Sequence, residues 1–248
     1  MAAVPAHAGN QKFVWISSGT WSIMGVETDE PCLTEKALAY NFTNEGGVFD
    51  TWRLSKNNVG LWLVQECKRT WAHQADDLSY DEITRLAADA KPFMAVIDLD
   101  DARFLYPGDM PERIKKYCAD TQQKVPETKG EIVRVALESL ALKYRKVLQQ
   151  VEELTGDHFE PIHIIGGGTK NKLLNQFTAD CTGRVVVAGH VEATAIGNAL
   201  MQANGLGHLR SLADLRCVVR ASYAPTTYQP GNKDRWDEAY SNLQKVTR

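Results

Sequence analysis

The run Ile162-His163-Ile164-Ile165 drives straight into Gly166-Gly167-Gly168-Thr169-Lys170-Asn171. Backbone without Cβ atoms can lie directly against a ligand, and a helix that starts there points free N–H groups at it. Phosphate-bearing nucleotides are held in this way beyond the carboxyl end of a strand in α/β proteins. A second segment, Ser17-Ser18-Gly19-Thr20-Trp21-Ser22, places hydroxyls and a glycine between two β-type runs. Such a bend can aim backbone N–H groups and a hydroxyl at a phosphate, although an ordinary hairpin uses the same residue types.

Other chemistries lack their residues. The dinucleotide fingerprint needs a third glycine where Thr169-Lys170-Asn171 stand, and about twenty residues on the chain has Gly189-His190 rather than a carboxylate. No G-x-x-x-x-G-K-[ST] and no G-x-S-x-G occurs, so neither a P-loop nor a hydrolase elbow is supported. Asp98, Asp100 and Asp101 do not continue into a calcium loop. The histidines show no paired ligand spacing, and the five cysteines form no C-x-x-C pair. No metal site is expected, and thiols in a reducing, cytoplasmic setting fit the cysteine usage.

The elements that must position the two glycine-bearing bends follow from periodicity. Phe13–Ser18 and Ser22–Glu27 read as a hairpin joined at Gly19-Thr20, and Tyr40–Thr43 with Val48–Leu54 as a second one around Asn44–Gly47. Gly60–Trp71 is helical. Ser79-Tyr80-Asp81-Glu82 and Thr128-Lys129-Gly130-Glu131 are capping boxes, the second opening the longest helix, to about Leu154. Its apolar residues Val133, Leu137, Leu140, Tyr144, Leu148 and Val151 recur three or four apart. Pro111–Asp120 is a further helix, and Phe93–Met110 is loop. Strand Ile162–Ile165, helix Asn171–Cys181, strand Val185–Ala188 and helix Glu192–Ala203 make a βαβα unit with a parallel pair, and Lys233–Gln244 is a final helix. The order suits an α/β domain with a mixed five-stranded sheet and flanking helices.

The 248 residues, 44% of them hydrophobic, support a sizeable core; the net charge of −3 gives no footprint for nucleic acid, and no apolar run suits a membrane span. Residues 1–10 read as a flexible lead-in or truncation point. Residues 11–232 read as one nucleotide-binding domain with a largely helical insert at 79–155, and residues 233–248 as a terminal helix.

Three segments at matching separations resemble one family: Ser17–Ser22; Asn44–Gly47 leading to Arg53-Leu54-Ser55-Lys56-Asn57-Asn58-Val59-Gly60-Leu61-Trp62-Leu63-Val64-Gln65; and Gly166–Asn171 through Asn175-Gln176. Together they are similar to the carboxy-terminal domain of the rhamnulokinase family, within the FGGY group of carbohydrate kinases. The resemblance implies a ribonuclease-H-like domain of the actin/hexokinase/Hsp70 superfamily. It implies ATP-dependent phosphorylation of L-rhamnulose at its 1-hydroxyl, with Mg2+ as cofactor. By position it gives Thr20, Gln65, Gly167, Gly168 and Asn171 to the nucleotide and Asn57 to the sugar or phosphate. In that family the general base is an aspartate in a His-Asp-Thr segment just ahead of a small-residue stretch like Ala2-Ala3-Val4-Pro5, and most sugar contacts lie in an amino-terminal domain. The resemblance therefore implies a chain that holds ATP, meets the sugar mainly through that other domain and is inactive alone. Two alternatives stay open: a stand-alone adenine-nucleotide regulatory module, and the matching half of a kinase for fuculose or xylulose.

Overall fold

A computed structural model describes residues 4, 12–231 and 233–247. Apart from Val4, the expected lead-in lies outside the described residues. The chain groups into two compact units, one from Met1–Asn58, Lys146–Lys170 and Arg184–Gln229, the other from Val59–Arg145, Asn171–Gly183 and Pro230–Arg248.

The first unit carries the sheet. Its strands are β1 (Val14–Ser18), β2 (Trp21–Thr28), β3 (Thr43–Gly46), β4 (Trp52–Val59), β5 (Ile162–Ile165), β6 (Val186–Ala188) and β7 (Thr226–Tyr228), in the spatial order β3-β4-β2-β1-β5-β6-β7. β1 runs antiparallel to β2 and parallel to β5, and β5 runs parallel to β6. All four residues of β5 are buried, as a β-branched strand in the middle of a sheet should be. β2 alternates: Ser22, Met24 and Val26 are buried, while Trp21 and Ile23 face outward. Helices α7 (Ala193–Gly205) and α8 (Leu212–Ser222) meet through Leu200, Leu215 and Val219, and Ala193 joins Val4, Trp15 and Ile165 in a small apolar cluster.

The second unit is helical: α2 (Trp62–His73), α3 (Tyr80–Asp89), α4 (Met110–Asp120), α6 (Lys172–Thr182), α9 (Asp234–Val246) and the first part of the long α5 (Lys129–Thr155). Both expected capping boxes form. The Ser79 hydroxyl accepts from Glu82 N while Glu82 accepts from Ser79 N. The Thr128 hydroxyl accepts from Glu131 N while Glu131 accepts from Thr128 N. Trp236 of α9 packs edge-on against Phe93 and Phe177, with ring centroids 4.8 and 5.3 Å away. The loop after α3 is pinned from within this unit, since Glu138 accepts from Phe93 N and Ser139 from Ile97 N, both at 2.9 Å. Burial holds the Glu138 carboxyl above the usual carboxylate range despite the Arg134 guanidinium beside it.

Among the described residues the sheet has seven strands rather than the expected five. The two edge strands are the hardest to read: β3 is Thr-Asn-Glu-Gly and β7 is Thr-Thr-Tyr, polar and mostly exposed, with no alternation. The second hairpin is shifted, because Asn44–Gly46 form strand and the reversal sits at Phe49 and Asp50, both in the left-handed region. β4 then runs on to Val59, and α2 starts at Trp62 instead of Gly60. The short α1 (Glu35–Ala39) and α8 add to the expected helices. Ser211-Leu212-Ala213-Asp214 in fact carries the capping-box pattern that announces α8.

Gly25 shows how tightly β2 and β4 are joined. A Cβ there would lie 2.4 Å from Leu54 O and 2.6 Å from Ser55 Cβ. Gly25→Ala is expected to cost about 1–3 kcal/mol by overpacking, read as a lower denaturant midpoint in chemical unfolding. An unchanged midpoint would mean the strands separate more easily than this spacing implies.

Candidate functional site

The parallel register of β1 and β5 sets Ser17 beside Ile165, so both strands end at the same level. The bend at Ser18–Trp21 and the glycine turn therefore emerge side by side. Ser18 joins them. A Cβ on Gly166 would lie 2.9 Å from Ser18 O, and a Cβ on Gly168 would lie 1.9 Å from Ser18 Oγ. Gly166 also has φ +88°, a conformation that side chains rarely adopt. Packing thus demands glycine at both positions.

Gly167 is different. It is exposed, its φ is not left-handed, and a Cβ built on it meets nothing within 4 Å. Neither the turn nor its neighbours explain a glycine there, whereas a ligand resting on the backbone would.

Hydrogen bonds fix both corners. Gly19 N donates to Trp21 O at 3.0 Å, closing the first bend. Thr169 donates to Gly166 O from its backbone N at 3.1 Å and from its hydroxyl at 2.8 Å, closing the second. Gly166 N donates to His190 O at 2.9 Å, and Gly189 N to Ile164 O at 2.7 Å, so the end of β6 buttresses the glycine turn. The His190 ring lies 4.3 Å from that of Tyr223, and burial pushes its basicity below the ordinary histidine range.

Of the residues expected at the site, Thr20, Gly167 and Gly168 belong to these two adjoining corners. Thr20 is half-buried at the tip of the first bend. Asn57 lies in the same unit, exposed on β4. Gly25 abuts Ser55, and the Asn58 side chain donates to Ser22 O, which brings Asn57 level with Ile23. Ile23 and Trp21 are 39% and 47% exposed. A groove of about 430 Å³ opens on this face of the sheet, lined by Trp15, Ser17, Ile23, Arg53 and Ile165 together with residues of α7. Arg53 stacks over Trp15 and pairs with Glu45.

Gln65 and Asn171 belong to the second unit. Gln65 is half-buried on α2. Asn171 is the N-cap of α6, and its Oδ1 accepts from Leu174 N at 2.9 Å. Two participants escaped sequence reasoning. Ser18 was one hydroxyl among several in its segment, and His190 contributes a backbone carbonyl, which no residue type advertises.

Comparison with known proteins gives the family. Residues 14–206 match the C-terminal domain of the FGGY family of carbohydrate kinases. Over its full length the chain is 47% identical to a rhamnulokinase of Bacteroides thetaiotaomicron, covering 50% of that protein, and it is 41% identical to a rhamnulokinase of Bacillus subtilis, again covering 50%. The chain therefore spans about half the length of these curated relatives. Among solved structures it resembles the xylulose kinase from Rhodospirillum rubrum, with a TM-score of 0.69 and 15% identity over 99% of this chain and 48% of that one. Plasmodium falciparum glycerol kinase with ADP gives the same TM-score and identity over 94% of this chain and 46% of that one. At that identity the likeness speaks for the fold alone, an α/β architecture shared with those two structures. With its paired corners at the ends of β1 and β5 and a family match over most of its length, the chain belongs to the FGGY family of carbohydrate kinases, in the part described by that family's C-terminal domain.

Proposed function

We propose that this chain is the nucleotide-holding half of an ATP-dependent sugar kinase, with L-rhamnulose as the acceptor and L-rhamnulose 1-phosphate as the product. The observation that carries the nucleotide reading is Gly167, a bare residue that packing does not require, set between two that it does. The sugar assignment rests on the likeness to rhamnulokinases. In this reading the Gly167–Gly168 backbone lies against the nucleotide and Thr20 offers its hydroxyl to the phosphates. Asn57, in the same unit, faces the sugar or its phosphate. None of these groups adds negative charge near the triphosphate, and phosphoryl transfer is governed by positioning and charge neutralisation.

Magnesium would arrive on the phosphates and neutralise charge there. Among the described residues no group of three or more His, Cys, Asp or Glu is placed to hold a metal ion. The segments 17–22 and 166–171 contain no carboxylate to take the proton of a sugar hydroxyl. The chain is accordingly proposed to bind ATP without turning over sugar by itself, the base and most sugar contacts belonging to a domain like the amino-terminal half of the longer relatives. Among the described residues no helix is long and apolar enough to cross a membrane.

Calorimetric titration with Mg-ATP tests the carrying observation. Gly167→Val should weaken binding by about tenfold or more, equivalent to about 1.4 kcal/mol, while stability stays within about 0.5 kcal/mol because the new side chain enters open space. Equal binding by the two proteins would remove the glycine turn from the site. Gly168→Ala, by contrast, should lose about 1–3 kcal/mol of stability through its collision with Ser18, measured by chemical unfolding. In a coupled assay with ATP and L-rhamnulose, the pure chain should form no sugar phosphate; steady turnover would show that it carries its own base.

A further inference from the structure

Ser18 ends β1 and is only 2% exposed. Its carbonyl lies under Gly166 and its hydroxyl under Gly168. Yet that hydroxyl is sealed from solvent and meets no hydrogen-bond partner among the described residues. A buried hydroxyl left unmade is destabilising, and an alanine would fill the same space without the cost. Packing alone therefore favours alanine at this position. The hydroxyl sits where the two corners touch, beneath a turn whose three glycines leave it free of side-chain constraint.

We propose that Ser18 is a positioning residue for the bound nucleotide: its hydroxyl gains its hydrogen bond from the backbone of the glycine turn when that turn settles onto phosphate. The unmet hydroxyl in the free protein then becomes a met one in the complex, and part of the binding free energy comes from a group that never touches the ligand. This rests on the nucleotide reading above and deepens it. The sequence neighbours Ser17 and Thr20 do not share the property, since both are half-buried rather than sealed.

Ser18→Ala in this chain separates the cases, with thermal unfolding and Mg-ATP calorimetry run together. The expected result is an unfolding midpoint equal to or above that of the wild type, with affinity lowered about three- to tenfold, the size of one net hydrogen bond made only in the complex. A lower midpoint, or a variant that fails to fold, would show that the hydroxyl is already satisfied in the free protein and would overturn the proposal. Unchanged affinity would overturn it equally. Gly167→Val, titrated alongside, shows which idea has failed. If it loses affinity while Ser18→Ala does not, only the Ser18 proposal falls. If the wild type itself binds no Mg-ATP, the nucleotide reading falls and takes this proposal with it.

Discussion

The contact between Ser18 and the glycine turn sets the geometry on which the candidate site depends. Because β1 and β5 are parallel neighbours with Ser17 opposite Ile165, their exits coincide. Because residues 166 and 168 lack Cβ atoms, the two exits can close to direct contact. A methyl group at either position would have to displace backbone or a sealed side chain. The close-packed corner is thus a consequence of strand order and of two glycines that the packing requires. The third glycine is the one that packing leaves unexplained.

The corner is stiff for reasons visible in its hydrogen bonds. Each bend is closed on itself, through Gly19 to Trp21 and through Thr169 to Gly166, and the second is tied to the end of β6 through His190 O. These internal bonds hold the frame of each bend, while the Ser18 hydroxyl between them still lacks a partner among the described residues. The polar groups at hand are hydroxyls, amides and backbone N–H groups. Such groups bind a triphosphate without adding to its repulsion.

Much of this was legible in the residues themselves. The β-branched run into Gly166-Gly167-Gly168, the Ser79 and Thr128 capping boxes and the three-and-four spacing along α5 each have one strong local cause, and each formed where the pattern placed it. What escaped has physical reasons too. β3 and β7 are polar edge strands, held by backbone pairing that side-chain alternation does not report. The hairpin before β4 turns at Phe49-Asp50, where a bulky residue takes a left-handed conformation that sequence rules assign to glycine or asparagine. At the candidate site, residue types marked out the hydroxyl-bearing bend and the glycines, and the family resemblance singled out Thr20. They could not reveal which glycine is free of packing, nor that Ser18 lies beneath the turn, because both facts depend on strand register across more than a hundred residues of chain.

The most direct test of the shared corner is a backbone amide NMR titration of this chain with Mg-ATP. The amides of Gly19 and Thr20 should shift together with those of Gly167 and Gly168, along one binding curve with one dissociation constant. Shifts confined to one of the two bends, or curves that differ between them, would contradict the claim that they grip a single nucleotide.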